Sequence, residues 1–190
     1  MKAKIWWQNN SEEWLKKTEH FSQLSKGNSK NFLREENFLV GQIQNSGFKR
    51  ILEVGAGDGR IIGRLSHRFP DSSSIDINPE LSEYVKEHFP LVETYVGEII
   101  DLPFKDKEFD LVFTHEVLQH VEPAEIDKAC RELLRVGKEV WCMENWRDTQ
   151  GDGKKVSDSH CGRWNWDLKK RLPAYYDFYT DWGQLFVKAE

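Results

Sequence analysis

Residues 51–60 read ILEVGAGDGR, an apolar run that breaks into three glycines, Gly55, Gly57 and Gly59. A short apolar run ending this way reads as a buried strand that turns sharply into a helix. Glycines at such a turn permit positive φ and let the backbone approach a ligand closely. The dinucleotide fingerprint G-x-G-x-x-G requires its third glycine at position 60, where this chain has Arg60. Glu53, just before the glycines, adds a negative charge to the turn. That charge is ill suited to a pyrophosphate and suited to a ligand bearing an ammonium or sulfonium. The next apolar run ends in SIDINPE (74–80), which puts Asp76 about 20 residues beyond the turn, where an acid takes ribose hydroxyls. The two segments together predict a cleft for a nucleoside that has no need of a phosphate site.

Working outward, strands are predicted at RILEV (50–54), SSIDI (73–77), VETYVG (92–97), FDLVFT (109–114) and EVWCME (139–144). Helices are predicted between them at 59–69, 79–89 and 123–136. Strand and helix alternating with short connections predict a parallel sheet with helices on both faces. The ending, AYYDFYTDWGQLFVKAE (174–190), has two strands and no helix between them. It reads as a hairpin turning at 180–183, with its last strand antiparallel to its partner. Two helical segments precede the first strand, one beginning at Ser11 and one from residue 28 to Gly47. Residues 147–160 are polar and glycine-containing and read as a mobile loop.

The chain of 190 residues suits one domain, with 1–47 as a helical cap or lid and 48–190 as the ligand-binding part. Its 38% hydrophobic and 31% charged residues describe a soluble globular protein with a real core. A net charge of −5 argues against a general nucleic-acid surface; the positive charges within 153–156 and 167–172 read as solvated faces. Cys130, Cys142 and Cys161 are odd in number and lack metal-ligand spacing, which predicts free thiols in a reducing compartment. No signal-peptide pattern and no apolar run of membrane-span length appear, so a cytoplasmic location is expected. Nothing in the sequence indicates the number of subunits.

One stretch imitates a metal site. THEVLQHVEP (114–123) holds His115, Glu116 and His120 in an arrangement close to the zinc-protease motif H-E-x-x-H. That motif needs its histidines four residues apart on one helix face. An interval of five leaves them roughly 140° apart around a helix, so a shared ion is not expected.

The segments EVGAGDG, IDINPE, VGEIIDLPF and FDLVFTHEVLQHV resemble successive motifs of the class I S-adenosylmethionine-dependent methyltransferases, in order and spacing, over residues 48–145. The resemblance implies an α/β, Rossmann-like, doubly wound and mostly parallel seven-stranded sheet with an antiparallel C-terminal hairpin. It implies S-adenosyl-L-methionine as cofactor and S-adenosyl-L-homocysteine as product. It would set Glu53, Gly55, Ala56, Gly57 and Gly59 at the methionine end, Asp76 at the ribose and Ile77 against the adenine. Glu98 stands where the family has an aspartate facing the adenine amino group, Ile99 would offer backbone contacts, and Thr114 would border the methionine tail. A second resemblance, of DLVFTHEVLQHVEP, ENW and HCGRWNWDLKKRL to small methylases associated with pseudaminic acid biosynthesis, points to a sugar-derived acceptor.

Ligands of open parallel sheets bind beyond the carboxyl ends of the strands. The candidates for acceptor chemistry are therefore His115 and Glu116 after the fourth strand, and Glu144, Asn145 and Trp146 after the fifth. His160 could reach the pocket from a lid, although an exposed loop histidine is the plainer reading. Glu116 could equally be an acid complementing a helix dipole, and His120 reads as support for the turn. Trp6, Trp7 and Trp14 suit packing, or a first segment folded over the cleft. The Asn/Asp-Pro-Pro-aromatic segment of nucleic-acid amino-methyltransferases is replaced here by THEV, which favours O- or N-methylation of a small molecule. A cofactor-binding module without catalysis and a nicotinamide-dependent oxidoreductase are the competing readings.

Overall fold

A computed structural model describes residues 2–12, 14–16, 29–145, 151–157, 162–180 and 184–190. The strands are β1 (Arg50–Val54), β2 (Asp71–Asp76), β3 (Glu93–Val96), β4 (Phe109–His115), β5 (Gly137–Asn145), β6 (Lys154–Ser157), β7 (Arg163–Asn165), β8 (Ala174–Tyr179) and β9 (Gln184–Ala189). The helices are α1 (Lys2–Asn9), α2 (Ser29–Gln44), α3 (Ile62–Ser66), α4 (Pro79–His88) and α5 (Ile126–Val136). Seven strands form one sheet in the order β3-β2-β1-β4-β5-β9-β8. β3, β2, β1, β4 and β5 pair in parallel, while β9 runs antiparallel to both β5 and β8. This is the doubly wound architecture expected from the strand–helix alternation. The strand order reverses between β1 and β4, where the following connections leave toward opposite sides and open a crevice.

Period-two alternation divides the core between the two faces. Leu52, Val112, Val140 and Val187 point to one side and pack with Ala129, Cys130, Leu133 and Val136 of α5. Their neighbours Ile51, Leu111, Trp141 and Phe186 point to the other, against Leu39, Val40 and Ile43 of α2 and Ile62 and Leu65 of α3. Both faces of the central strands are thus buried, which is why β1, β4 and β5 read as nearly unbroken apolar runs. α4 begins on Asn78, whose side chain accepts from the N–H groups of Glu80 (2.9 Å) and Leu81 (3.1 Å), with Pro79 in its first turn.

Three features differ from the sequence expectation. α3 is confined to Ile62–Ser66 instead of 59–69, because the glycine turn occupies the residues before it. α1 was not expected as a separate helix; its Lys-Trp-Gln-Asn composition has no apolar stripe to announce it. Part of the expected loop is ordered: β6 pairs with β7 in a two-stranded sheet. It is held by Gly153 N–H to Asn165 O at 2.7 Å and by Asp152 accepting from Arg171 at 2.9 Å. Polar strands stapled this way carry no hydrophobic alternation to read. Residues 146–150 and 158–161 lie outside the described residues, and so do 181–183 of the expected hairpin turn. The hairpin itself is present, closed by Thr180 N–H to Gln184 O at 2.8 Å.

Gly59 was expected to line the cofactor. The structure places it instead between α3 and α4: a Cβ there would meet Val85 at 2.7 Å and Phe89 at 3.2 Å, at φ +74°. Gly59→Ala is therefore expected to lower stability by about 1–3 kcal/mol in urea unfolding. Binding of S-adenosylhomocysteine should change by no more than a few fold. A large affinity loss at unchanged stability would return Gly59 to the ligand.

Candidate active site

The crevice at the β1/β4 reversal holds a cavity of about 470 Å³. Its floor comes from the end of β1 and the turn that follows, with Glu53, Gly55, Ala56 and Gly57, and from Asp76 and Ile77 at the end of β2. Glu98 and Ile99 after β3 form one flank, and His115 and Glu116 at the end of β4 form another. Lys4, Trp6, Trp7 and Trp14 from the N-terminal segment complete the wall.

The glycine turn is crowded as well as bent. Gly55 (φ +75°) and Gly57 (φ +58°) hold conformations that side chains rarely adopt. A Cβ on Gly55 would meet Val117 at 2.5 Å, and one on Gly57 would meet the Trp14 indole nitrogen at 3.1 Å. Asp76 ties the turn to the next strand, accepting from Gly57 N–H and from Asn78 N–H, both at 2.9 Å. Burial pushes its carboxyl above the usual range, and these backbone donors oppose the shift. Glu53 accepts from Ile62 N–H at 2.9 Å and so anchors the start of α3. Its burial raises the carboxyl well above the ordinary value.

Two of the cations that line the cleft, Lys4 and Arg60, are paired with acids. Lys4 bonds Glu98, and Arg60 lies 3.1 Å from Glu36 and 3.4 Å from Asp58 with its guanidinium over the Trp14 ring. The residue that interrupts the dinucleotide fingerprint is thus neutralised by two acids instead of waiting for a phosphate. Carboxylates, close-approach glycines and tryptophan edges make a donor set that fits S-adenosylmethionine: acids for ribose and amine, apolar surface for adenine, and no excess positive charge. The carboxylates named above and the glycine backbone beside them are the groups that would hold it.

β4 ends in an unusual turn. Glu116 adopts φ +60°, uncommon for a residue with a side chain, and its N–H donates to Met143 O at 2.9 Å. Such strain persists where surrounding contacts enforce it. Here the Glu116 Oε2 atom accepts from Gln119 Nε2 and Asn145 Nδ2, each at 2.6 Å, while Oε1 is buried with no hydrogen-bond partner among the described residues. Burial raises this carboxyl; His115 opposes the rise and Glu35 adds to it. His115 Nε2 lies 3.4 Å from Glu35 Oε2. His120 turns the other way, its Nδ1 2.8 Å from Gly162 O and its ring edge-on to Trp7 at 4.8 Å. The two histidines of the zinc-like stretch face different partners. Among the described residues no group of three or more His, Cys, Asp or Glu is gathered to hold a metal ion.

Several expectations need revision. Thr114 does not line the cavity; it is fully buried and its hydroxyl donates to Glu144 at 2.9 Å. In a strand whose side chains alternate, Thr114 points away from the face that His115 occupies. Glu144 is no acceptor-site residue either. It lies beneath the turn and accepts from Thr114, Val117 N–H (3.1 Å) and Gln119 N–H (3.3 Å). Its residue type and position were visible in the sequence, but not the direction of its side chain. His160 and Trp146 lie outside the described residues. Glu35, Gln119 and the Lys4–Glu98 pair went unnoticed, since each belongs to a site only through contacts between distant segments.

Glu144 yields a test of stability against pH. Burial, followed by the nearby Glu116 charge, moves its carboxyl from 4.5 up to about 7. A group raised on folding binds its proton more tightly in the folded state. Its contribution is fully present below about 4.5 and lost as pH rises through about 7. Between pH 5 and pH 8 the wild type should lose roughly 1–3 kcal/mol relative to Glu144→Gln, measured by urea unfolding. Equal pH slopes for the two proteins would show that this carboxyl does not titrate there.

The Methyltransferase domain family matches residues 52–139. An uncharacterized methyltransferase of Mycobacterium tuberculosis is 28% identical over 100 residues, covering 53% of this chain and 41% of that protein. Phosphoethanolamine N-methyltransferase of Triticum aestivum is 27% identical over 121 residues, covering 59% of this chain and 24% of that protein. The matches thus take in less than half the length of either relative. A TehB-like S-adenosylmethionine-dependent methyltransferase from Corynebacterium glutamicum has the same fold, with a TM-score of 0.68 at 18% identity over 95% of this chain and 97% of that one. The region similar to the Methyltransferase domain family supplies the glycine turn, Asp76 and the strand that ends at His115, and the fold is that of an S-adenosylmethionine-dependent methyltransferase.

Proposed function

We propose that this protein transfers the methyl group of S-adenosylmethionine to an oxygen or nitrogen of a small molecule. The observation that carries the reading is the cleft itself. A cavity of about 470 Å³ lies at the β1/β4 reversal, with a carboxylate–glycine floor and a wall of tryptophans from the N-terminal segment. That wall supports a compact acceptor over a macromolecule, as does the absence of a proline-containing clamp after β4. The small-amine chemistry named for the Triticum relative points the same way. Within this class we favour a sugar-derived acceptor, on the resemblance of the 110–123 and 160–172 segments to sugar-linked methylases.

S-adenosylmethionine supplies, when bound, an electrophilic methyl on a sulfonium that leaves as a neutral thioether. The protein's part is to hold its reactants in line and to exclude water, which can supply several kcal/mol and up to roughly 7–11. We assign Asp76 to the ribose, Glu98 and Ile77 to the adenine side, and Glu53, Gly55, Ala56 and Gly57 to the amino-acid end. His115 and Glu116 face the acceptor. We read residues 1–47 as a cap on the domain formed by 48–190. In support, Trp7 O accepts from Asn78 Nδ2 at 2.8 Å, and Ser11 bonds Glu80, docking the segment on the start of α4. No described helix is long and apolar enough to cross a membrane, and the free, buried Cys130 and Cys142 suit the cytoplasm.

Calorimetric titration should show binding of S-adenosylmethionine and S-adenosylhomocysteine but not of NAD; the reverse pattern would refute the reading. Asp76→Ala should weaken S-adenosylhomocysteine about 10–100-fold, through loss of the ribose acceptor and of the Gly57 tie together. Tryptophan emission should change on binding and lose most of that response in a Trp7→Phe, Trp14→Phe double variant. An unaltered response would detach the N-terminal segment from the site.

A further inference from the structure

We infer that Glu35, on α2, is a positioning residue that orients His115 to take the proton of the methyl acceptor. The inference rests on the methyltransferase reading and extends it to a residue no motif contains. Glu35 is 4% exposed and lies beneath the cavity wall, with two polar partners among the described residues. Gln184 of β9 donates to its Oε1 at 3.2 Å, and His115 Nε2 stands 3.4 Å from its Oε2. Both of those partners are themselves buried, at 3% and 9% exposure.

A buried carboxylate without a partner is costly, and an ionised one can only accept hydrogen bonds. The imidazole nitrogen facing it must therefore be the one that carries hydrogen. With hydrogen on Nε2, Nδ1 of a neutral His115 is left with its lone pair, and the ring lines the cavity. At 3.4 Å the contact is of ion-pair length and His115 Nε2 makes no hydrogen bond among the described residues, a gap that a bound acceptor can close. Other charges around the ring are Glu116 beside it and Glu36, which Arg60 pairs at 3.1 Å. An imidazolium formed here would thus sit between Glu35 and Glu116.

The resulting step balances. The acceptor's O–H or N–H proton passes to Nδ1 of His115 while its lone pair bonds the methyl carbon, and the carbon–sulfur bonding pair stays on sulfur. His115 then returns the proton to solvent. Gln184 comes from the strand added antiparallel to β5, so β9 would hold the pair in place from below.

The tautomer of His115 decides the matter. Long-range ¹H–¹⁵N correlation on the wild-type protein with bound S-adenosylhomocysteine, assigned through His115→Asn, should find the hydrogen on Nε2. In Glu35→Leu the preference should be lost, and Glu35→Gln, which keeps an acceptor oxygen, should restore it in part. In a metabolite extract that supports turnover, Glu35→Leu should lower kcat about 10–100-fold with S-adenosylhomocysteine affinity within twofold. A wild-type His115 protonated on Nδ1, or a tautomer unchanged in Glu35→Leu, overturns the inference. The wild-type result stands even where the leucine variant does not fold. Failure of S-adenosylhomocysteine to bind would instead overturn the methyltransferase reading.

Discussion

The Asp76 carboxylate accepts from the N–H groups of Gly57 and Asn78, and this pair of bonds fixes the two turns that face each other across the crevice. It adds to the Gly55 N–H bond to Ile75 O at 2.8 Å, which already brings the glycine turn to the end of β2. Gly57, at a positive φ that glycine adopts without strain, serves as one donor. Asn78 serves as the other while its own side chain caps α4 and bonds Trp7 O. One carboxylate therefore sets the floor of the cleft, and through Asn78 it also sets where the N-terminal helix can dock.

Buried acids recur as the fastening of this site. Glu53 holds the start of α3, Asp76 the two turns, and Glu144 the turn after β4, each through backbone N–H groups. Carboxylates suit this work because they offer several acceptor sites to donors that have no partner at the ends of strands and short helices. Their burial raises the carboxyl in each case, and the backbone donors oppose it. The result is a cleft lined by several acids, in which the cations Lys4 and Arg60 are already engaged. Such a cleft matches a cationic nucleoside better than a pyrophosphate.

The fold was legible because the central strands are buried on both faces and the helices between them carry a clear period. RILEV coincides with β1, and the strand–helix order predicted the parallel sheet. The cavity-lining residues of the first three turns were legible too, since each lies within three positions of a strand end. Orientation was harder to read. Thr114 and His115 are adjacent in β4, yet one faces Glu144 in the interior and the other the cavity. Gly59 sits in the same glycine run as Gly55 and Gly57 but separates helices instead of lining the cleft. The β6–β7 pair was illegible because polar side chains and glycine turns hold it, with no apolar alternation.

What the sequence by itself determined is local: which residues form strands, where the chain turns, and which turns present glycine or an acid. These follow from periodicity and from backbone freedom, both properties of neighbouring residues. What only the tertiary structure decided is which distant side chains meet. Lys4 on Glu98, Trp14 over Gly57, and Glu35 between Gln184 and His115 join segments far apart in the chain. No periodicity records such meetings, because they arise from how the helices and the terminal hairpin pack on a twisted sheet.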